Sequence, residues 1–315
     1  MSAERNLILV HQPGSQDVQD FSKISSYVRE LAPDIEIFIA NNEIRNSVTR
    51  KKAARLPTLI FSPGNLISFT PLRGKVYAGR PISKLDQMNQ FKKCGLPVPD
   101  FVELRPDTAI TPAEWGEFVL VKGSDPIFAS RARGMTLQRT TRVSYTPQHV
   151  FPKDHPGRYG PMFVQKFIDT GPLPIQCRVL TLFGRPLWAV KNISRVPRGS
   201  FDVPDAELKA LTINPSRKAG WSRQLLFEED VLSLASRAYQ AFPDVPLQAC
   251  DIIRDVSSQN LYLLEINPGG NTWVFSRKST PQTIQELDGI EPISQFDAFK
   301  TAARILVEKT RAEAQ

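Results

Sequence analysis

Two stretches near the carboxyl end of this 315-residue chain decide its fold: residues 247–254 (LQACDIIR) and residues 261–271 (LYLLEINPGGN). Both are apolar runs that predict strands, and the polar segment around Ser257 to Asn260 predicts a turn between them. Hairpin pairing of the two strands brings Asp251 beside Glu265. Residues i and i+2 of a strand face the same side, so Glu265 and Asn267 project together. Three oxygen-bearing side chains therefore cluster on one face.

Two carboxylates on one face of an apolar sheet repel each other unless a cation lies between them. Asp251, Glu265 and Asn267 offer only oxygen ligands, which suit Mg²⁺ bound to the phosphates of a nucleotide better than zinc or a soft metal. The alternative is a solvated sheet face with its polar residues outward. The residues between the three are apolar, which favours the metal site.

Basic residues form a second set of candidates. Lys122 ends the apolar strand 118–122 (FVLVK) and precedes a loop, 123–134, in which backbone N–H groups, Arg131 and Arg133 could hold phosphates. Lys84 opens a helix whose dipole favours anions at its amino end. Arg178 lies inside an apolar strand, where it could stabilise a phosphoryl group during its transfer. On spacing alone, a lysine at such a position is normally solvated, and a lone arginine in a strand usually lies at an exposed edge or pairs with an acid.

Other catalytic patterns are missing from the sequence. The histidines, His11, His149 and His155, are isolated, and no G-x-S-x-G turn supports a hydrolase. Neither a G-x-x-x-x-G-K-[ST] loop nor a G-x-G-x-x-G turn is present. If ATP binds, its phosphates are held in another way.

The composition is that of an ordinary enzyme, with 41% hydrophobic and 23% charged residues. The net charge of +8 favours anionic partners, but the basic residues are dispersed and no nucleic-acid-binding motif is visible, so nucleic acid is not expected as the main substrate. No apolar run is long enough to span a membrane, and the four-residue apolar run before His11 is too short for a secretory signal. Three widely spaced cysteines indicate reduced thiols, and we expect a cytoplasmic protein.

The order of elements predicts three domains. Residues 1–79 alternate strand, helix and strand, which predicts a small α/β domain with a parallel sheet. Residues 80–160 begin with a predicted helix over 84–94. Ser83 is its predicted N-cap, and Gly95 is expected to end it. Residues 161–315 contain strands over 162–168, 177–183, 186–193, 247–253 and 261–266, with helices over 228–242 and 293–312. Residues 196–221 show no periodicity and predict a long loop.

These pieces, in this order, resemble the ATP-grasp superfamily, which includes glutathione synthetase, D-alanine ligase and the ribosomal-protein glutamate ligases. The resemblance covers about 80–270, and five motifs in the expected order carry it. The first is Lys84 with Leu85, Met88 and the extended segment from Gly95 to Pro99 after the helix, and the second is the strand that ends at Lys122. The other three are residues 164–168 (VQKFI), the strand from Arg178 to Gly184, and Asp251 with Glu265 and Asn267.

The resemblance implies an ATP-grasp fold, mixed α/β and α+β, with a Rossmann-like (pre-ATP-grasp) amino-terminal domain and two α+β subdomains that clasp ATP. Lys84 and Lys122 would contact its phosphates, with Arg131 and Arg133 in place of some backbone contacts. The metal ligands would hold Mg²⁺, with Mn²⁺ as an alternative. The adenine-binding segment would comprise Gln165, Lys166, Phe167 and Ile168.

The reaction implied by the resemblance joins a carboxylate to an amine or thiol. The carboxylate attacks the γ-phosphorus of ATP to give an acylphosphate, the nucleophile displaces phosphate, and Arg178 stabilises the transferring group. Two alternatives stay open: a kinase on the same fold that does not ligate, and a nucleotide-binding regulatory protein with a decayed active site.

The substrates cannot be identified from the sequence. Arg195, Arg198, Arg217 and Arg223 indicate either an anionic small-molecule or peptide partner or merely a solvated loop. Residues 268–273, with Gly269, Gly270 and Asn271 at their centre, are expected to shape the acceptor pocket. A homodimer is the commonest oligomeric state among such proteins.

Overall fold

The computed structural model describes residues 3–45, 48–129, 133–211, 213–215, 220–269 and 272–315. Its strands form three separate sheets that follow one another along the chain. Within the described ranges, no helix is both long enough and apolar enough to cross a lipid bilayer.

The first sheet is parallel, as the strand–helix–strand order predicts, with strand order β2-β1-β3-β4. Asp17 caps its first helix by accepting a hydrogen bond from the backbone N–H of Gln19 at 2.9 Å. The elements are β1 (Arg5–His11), α1 (Val18–Leu31), β2 (Ile35–Asn41), α2 (Val48–Ala53), β3 (Thr58–Ser62) and β4 (Lys75–Ala78). The short β4 escapes a sequence-based reading because it has only four residues and no clear alternation.

The second sheet is antiparallel, with strand order β5-β8-β6-β7. The predicted N-cap of its first helix is confirmed, since the Ser83 hydroxyl accepts a hydrogen bond from the Asp86 backbone N–H at 3.1 Å. The elements are α3 (Lys84–Lys93), β5 (Phe101–Glu103), α4 (Pro112–Trp115), β6 (Phe118–Gly123), β7 (Thr136–Arg139) and β8 (Met162–Lys166).

The third sheet is also antiparallel, with strand order β11-β10-β9-β12-β13. The predicted hairpin turn at Phe183 and Gly184 joins β9 to β10, and both residues have positive φ, 49° and 79°. The strands are β9 (Ile175–Leu182), β10 (Arg185–Ser194), β11 (Trp221–Leu225), β12 (Leu247–Arg254) and β13 (Leu261–Asn267). The helices are α5 (Asp205–Ala210), α6 (Glu229–Ala238), α7 (Thr280–Glu286) and α8 (Ala298–Glu313).

Two segments differ from their sequence-based predictions: one strand belongs to another sheet, and part of an expected loop is a helix. The strand β8, which the sequence places at the start of the third domain, lies between β5 and β6 of the second sheet. The stretch expected to be a loop over 196–221 contains α5, whose Leu208 is buried against Leu120 and Leu137 of the second sheet. Arg139 fastens it by donating to the Asp205 carboxylate at 2.6 Å. These contacts depend on tertiary packing, which no local pattern reports.

The last helix completes the core of the first sheet. α8 contributes Phe299, Ala302 and Leu306 to the same buried cluster as Leu7 and Phe21 of the amino-terminal elements. The chain then pairs with β3, since the Thr58 backbone N–H donates to the Gln315 carbonyl at 2.9 Å. The first and third sheets therefore share one core.

Three backbone segments meet at Gly79, between the first sheet and α3. Its N–H donates to the Gly64 carbonyl at 3.1 Å. A Cβ at this position would lie 2.4 Å from the Pro268 carbonyl oxygen and 2.7 Å from that of Pro63. Only glycine fits, so Gly79 holds the segment after β13 against the first sheet.

We expect Gly79→Ala to destabilise the protein by about 1–3 kcal/mol, because the added methyl group forces apart backbone that cannot rotate away. Urea denaturation measures the change. Gly160→Ala is the matched control, since its Cβ would make only an ordinary contact, 3.4 Å from the Ser124 hydroxyl. Equal stability of the two variants would contradict the close packing at Gly79.

Candidate nucleotide and metal site

The candidate site lies on one face of the third sheet. Pairing places Arg178 of β9 opposite Asp251 of β12, which in turn lies opposite Glu265 of β13. A β-bulge follows the last pair and adds one residue to β13. The predicted juxtaposition of Asp251 and Glu265 is therefore present. Asn267 lies two residues further along the same face, where its side-chain amide donates to Asp251 at 3.2 Å.

Asp251 is the most deeply buried acid of the site, with 2% of its surface exposed. The Arg178 guanidinium donates two hydrogen bonds to its carboxylate, both of 2.7 Å. Burial raises the pKa of Asp251 more than Arg178 lowers it. The Asp251 carboxylate raises the pKa of Arg178, whose charge is thus retained. Bidentate pairing of this kind fixes both side chains in the plane of the two carboxylate oxygens.

Glu265 pairs with the first lysine of the site. The Lys84 ammonium lies 2.7 Å from its carboxylate. Burial would raise the pKa of Glu265, but Lys84, Lys122 and Arg178 outweigh that effect, and the pKa is lowered. Gln87, one turn along α3, fixes the helix to β13 by accepting a hydrogen bond from the Ile266 N–H at 2.8 Å. Lys84 is thereby held over the sheet.

Lys122 has a neutral partner. Its ammonium donates a short hydrogen bond to the side-chain carbonyl of Gln165, which is 1% exposed. Burial, assisted by the charge of Lys84, lowers the pKa of Lys122 to about 8, although Glu265 acts in the opposite direction. Gln165 has a second feature: its side-chain N–H₂ is buried without an acceptor among the described residues. The Lys122 ammonium and the Gln165 side-chain N–H₂ are therefore both able to donate a hydrogen bond to a bound ligand.

The other three residues of the predicted adenine-binding segment face other directions. The Lys166 ammonium donates to the Glu114 carbonyl at 3.1 Å, on the opposite side of β8 from Gln165. Phe167 packs edge-on against Phe201 with ring centroids 5.4 Å apart. Ile168, just after β8, is half-buried. Of the four predicted adenine-binding residues, only Gln165 therefore joins Lys122 through its side chain.

A cavity of about 760 Å³ opens beside this row of charges. Lys84, Arg178, Glu265, Asn267 and Gly269 all line it. The opposite wall belongs to the first domain and includes Gln12, Gln16 and Asn65. Of the segment 268–273, which is predicted to shape the acceptor pocket, Pro268, Gly269 and Thr272 line the cavity. Trp273 is buried and donates to the Asp20 carboxylate at 2.8 Å.

The loop arginines singled out by the sequence lie elsewhere. Arg195 and Arg133 are exposed and are not among the described residues that line the cavity. Arg198 pairs with Asp169 at 2.8 Å, and Arg223 is buried against Glu286 at 3.0 Å. These two pairs are structural. Arg131, Arg217, Gly270 and Asn271 lie outside the described residues.

Two arginines that sequence reasoning missed line the cavity instead. Arg80 follows the glycine that joins the first two domains, and Arg277 follows the segment after β13. Neither belongs to a motif or to an apolar run, so only their positions in the fold reveal them. Among the described residues that line the cavity, Arg80, Arg277, Lys84 and Arg178 are cationic and Glu265 is the one acid.

The acids and the amide suit a magnesium ion. Within the described part of the chain, no three or more His, Cys, Asp and Glu side chains cluster as metal ligands. The candidate set consists of two carboxylates and an amide on neighbouring strands, all with oxygen donors, which is the chemistry Mg²⁺ prefers when a nucleotide supplies further ligands. Lys84 and Arg178 neutralise the two carboxylates in the absence of metal.

Comparisons with known proteins identify the fold. No protein-family model matches the chain, and no curated protein matches it at a significant level. The ATP-grasp ligase PsnB in complex with a minimal precursor superposes with a TM-score of 0.53 at 14% identity, covering 97% of this chain and 100% of that one. The D-cycloserine synthetase DcsG gives 0.51 at 13%, covering 96% and 99%, and PsnB with precursor, Mg and ADP gives 0.51 at 12%, covering 96% and 97%. The chain has the ATP-grasp fold.

Proposed function

We propose that this protein is an ATP-dependent ligase that joins a carboxylate to an amine, or to a thiol, through an acylphosphate. One observation carries the proposal: Arg178, Asp251 and Glu265 lie side by side across three strands, with Lys84 paired to Glu265. Lys84, Arg178 and Glu265 line one cavity, while Asp251 is buried and held by Arg178. Three cations and two carboxylates converge there once Lys122 is included. A cluster of this kind suits a polyanionic phosphate chain with its metal.

Lys84 and Lys122 would bind the phosphates, and backbone groups of residues 165–168 would contact the base. Asp251, Glu265 and Asn267 would hold Mg²⁺, which would neutralise charge on the phosphates. The hydrogen bond between Lys122 and Gln165 supports this placement, because it connects the lysine proposed to bind phosphate with the segment proposed to bind the base. We also propose the three-domain division, with the second domain extended to Lys166 because β8 belongs to its sheet.

In the first step an oxygen of the substrate carboxylate attacks the γ-phosphorus, and the bond from that phosphorus to the ADP oxygen breaks. In the second step the amine attacks the acyl carbon, and the carbon–oxygen bond to phosphate breaks. The amine proton passes to phosphate or solvent. Arg178, held in plane by Asp251, would stabilise negative charge on the transferring group and on the tetrahedral intermediate. Such catalysis consists mainly of positioning and electrostatics.

The regulatory alternative is disfavoured because Lys84, Lys122, Arg178, Asp251 and Glu265 are all present and held by partners. A kinase on the same fold would use the same residues, and only the amine dependence of ADP release separates it from a ligase. Among proteins of similar fold, PsnB is named as a ligase bound to a precursor and DcsG as a synthetase. These names support a carboxylate substrate on either a peptide or a small molecule.

The test is to measure ADP release with a carboxylic acid alone, with the acid plus hydroxylamine, and with neither. A ligase releases ADP in proportion to hydroxamate, because hydroxylamine traps the acylphosphate. A kinase gives ADP and a stable phosphorylated product without the amine. Mg-ATP binding by calorimetry without ADP release in any of the three assays would refute both and favour the nucleotide-binding regulatory protein.

The pH dependence of ATP binding is a further expected result. The Lys122 ammonium of the nucleotide-free protein loses its proton as pH rises through about 8. Phosphates favour the charged form. Affinity for Mg-ATP should therefore be constant well below that pH and fall above it, and binding near it should take up protons. Calorimetry in two buffers with different protonation enthalpies measures the uptake.

Lys122→Met supplies the control for this result, since it removes the titrating group and should remove the proton uptake. An unchanged uptake would assign it to another residue. Stability follows the opposite trend to affinity. At a pH between the lowered pKa of Lys122 and its ordinary value, this lysine is neutral in the folded state and protonated in the unfolded state. The free energy of unfolding therefore rises as the pH rises through that range, because burial of the charged lysine no longer destabilises the folded state.

A further inference from the structure

An irregular connection, residues 143–161, lies between β7 and β8. It is polar and rich in proline, and none of it belongs to the described residues that line the cavity. Several of its contacts are with the loop 123–134 that follows Lys122, of which residues 123–129 and 133–134 are described. This loop is the one whose backbone N–H groups the sequence assigns to phosphate binding. The connection can therefore affect the site through the loop.

Pro156 of the connection packs between the two ends of the loop. A Cβ on Gly123 would lie 2.6 Å from the Pro156 Cβ, and a Cβ on Gly134 would lie 2.7 Å from the Pro156 Cδ. Non-bonded carbon atoms pack at about 3.5–4.0 Å, so a side chain at either position would displace the proline. Gly134 also has a φ of 69°, which favours glycine. The glycines at the two ends of the loop thus make room for Pro156.

Tyr159 of the same connection holds the turn after Ser124. Its ring stacks on the ring of Phe128, with centroids 3.7 Å apart and an angle of 9° between the planes. The Asp125 carboxylate accepts hydrogen bonds from the backbone N–H groups of Ile127 and Phe128 at 2.9 and 2.7 Å. The turn is thus fixed from within by Asp125 and from outside by Tyr159.

This turn also connects the two lysines proposed to bind phosphate. Ser124 lies two residues after Lys122, and its carbonyl accepts a hydrogen bond from the Lys84 backbone N–H at 2.9 Å. The Ser124 N–H donates to the Pro161 carbonyl, at the end of the connection, at 3.0 Å. Pro126, in the middle of the turn, lines the cavity. A shift of the connection would therefore move the backbone that carries both lysines.

We propose that Pro156 and Tyr159 are positioning residues for the phosphates of ATP. They hold the loop after Lys122 in its phosphate-binding geometry before ATP arrives, and neither of them touches the nucleotide. Affinity rises in such a case because the cost of ordering the loop is not incurred on binding. The proposal rests on the ligase function proposed above, in which the base is bound by other residues, 165–168.

The experiment compares Mg-ATP with adenosine, which has the same base and ribose but no phosphates. In Tyr159→Ala, Mg-ATP affinity should fall about two- to tenfold, the range that corresponds to the loss of one aromatic pair, and adenosine affinity should be unchanged. Calorimetry measures the first affinity and ligand-observed NMR the second. A general loss of structure would weaken both ligands together. Either that result or an unchanged Mg-ATP affinity would overturn the proposal.

Three further variants test the assignment to these two residues. Tyr159→Phe keeps the stacked ring and should bind Mg-ATP as the parent does. Tyr145→Ala is the matched control, because Tyr145 lies in the same connection and is 40% exposed, against 46% for Tyr159. It should also bind as the parent does, and a loss equal to that of Tyr159→Ala would refute the role of the stack.

Pro156→Ala keeps the Cβ beside Gly123 and removes the ring atoms beside Gly134. It should weaken Mg-ATP binding and spare adenosine, as Tyr159→Ala does. An unchanged affinity for Mg-ATP would refute the role of this proline.

The parent protein separates this proposal from the ligase function. If the parent fails to bind Mg-ATP, the proposed ligase is wrong and the positioning role is wrong with it. If the parent binds Mg-ATP and the two alanine variants at Pro156 and Tyr159 bind it equally well, only the positioning role is overturned.

Discussion

Glu265→Gln should lose the Mg²⁺-dependent part of ATP binding, with a fall in affinity of more than about 100-fold, and should lose ligation with it. Changes beyond the ligands of a metal already cost 10–100-fold in metal affinity or activity, and loss of a ligand charge should cost more. The glutamine keeps the shape of the side chain but removes its charge. Calorimetric titration of ATP with and without Mg²⁺ measures the difference.

Glu308→Gln is the matched control, because Glu308 is an exposed partner of Arg185 at 2.6 Å and lies outside the cavity wall. It should bind Mg-ATP as the parent does. The metal assignment would be wrong if Glu265→Gln bound Mg-ATP normally. A fall in ATP affinity that is equal with and without Mg²⁺ would instead assign Glu265 to the positioning of Lys84.

Lys84→Met should produce opposite changes in two affinities. Mg-ATP binding should weaken at least about tenfold, because one phosphate-binding cation is lost. Binding of a divalent metal without nucleotide should strengthen by about tenfold. In the parent, a metal must displace the Lys84 ammonium from the Glu265 carboxylate, 2.7 Å away. A hydrogen bond between charged groups is worth about 1.5–3 kcal/mol, and the lower end of that range is the free energy of about a tenfold change.

Mn²⁺ titration followed by electron paramagnetic resonance measures metal binding in the absence of ATP. Lys309→Met is the control, since Lys309 pairs with Glu313 at the same 2.7 Å distance and is similarly half-buried. It should leave Mn²⁺ affinity unchanged. If Lys84→Met bound Mn²⁺ no better than the parent, the ion pair with Glu265 would not compete with the metal.

Most strands, and the pairing of Asp251 with Glu265 in the candidate site, could be predicted from local sequence patterns. The apolar runs at 247–254 and 261–271, with a polar turn between them, predict that Asp251 and Glu265 are neighbours, and the pairing is as expected. The helical spacing of residues 18, 21, 24, 28 and 31 also predicts one buried face of α1. Phe21, Ile24 and Val28 are fully buried as predicted, whereas Val18 and Leu31 at the ends of the helix are exposed. Terminal turns have fewer neighbours, so periodicity overestimates their burial.

The rest depends on contacts between distant parts of the chain. Periodicity cannot tell which sheet β8 joins, because its neighbours are far away in the chain: the closest register pairs are 39 residues apart for β6 (Gly123 and Met162) and 60 for β5 (Glu103 and Phe163). The arginines of the long segment have the composition of a binding loop, yet Arg198 and Arg223 find acids in the folded chain. Arg277 has no motif at all, and only the fold brings it to the cavity.

The position of α8 bears on the order in which the protein is made. The first sheet is synthesised early, but Phe299 and Leu306 of the last helix supply part of its core, and Gln315 pairs with Thr58. While the ribosome is still translating the middle of the chain, the nascent first domain exposes an apolar surface that awaits these residues. Chaperone binding to the nascent chain should thus persist until residues 298–315 have left the exit tunnel.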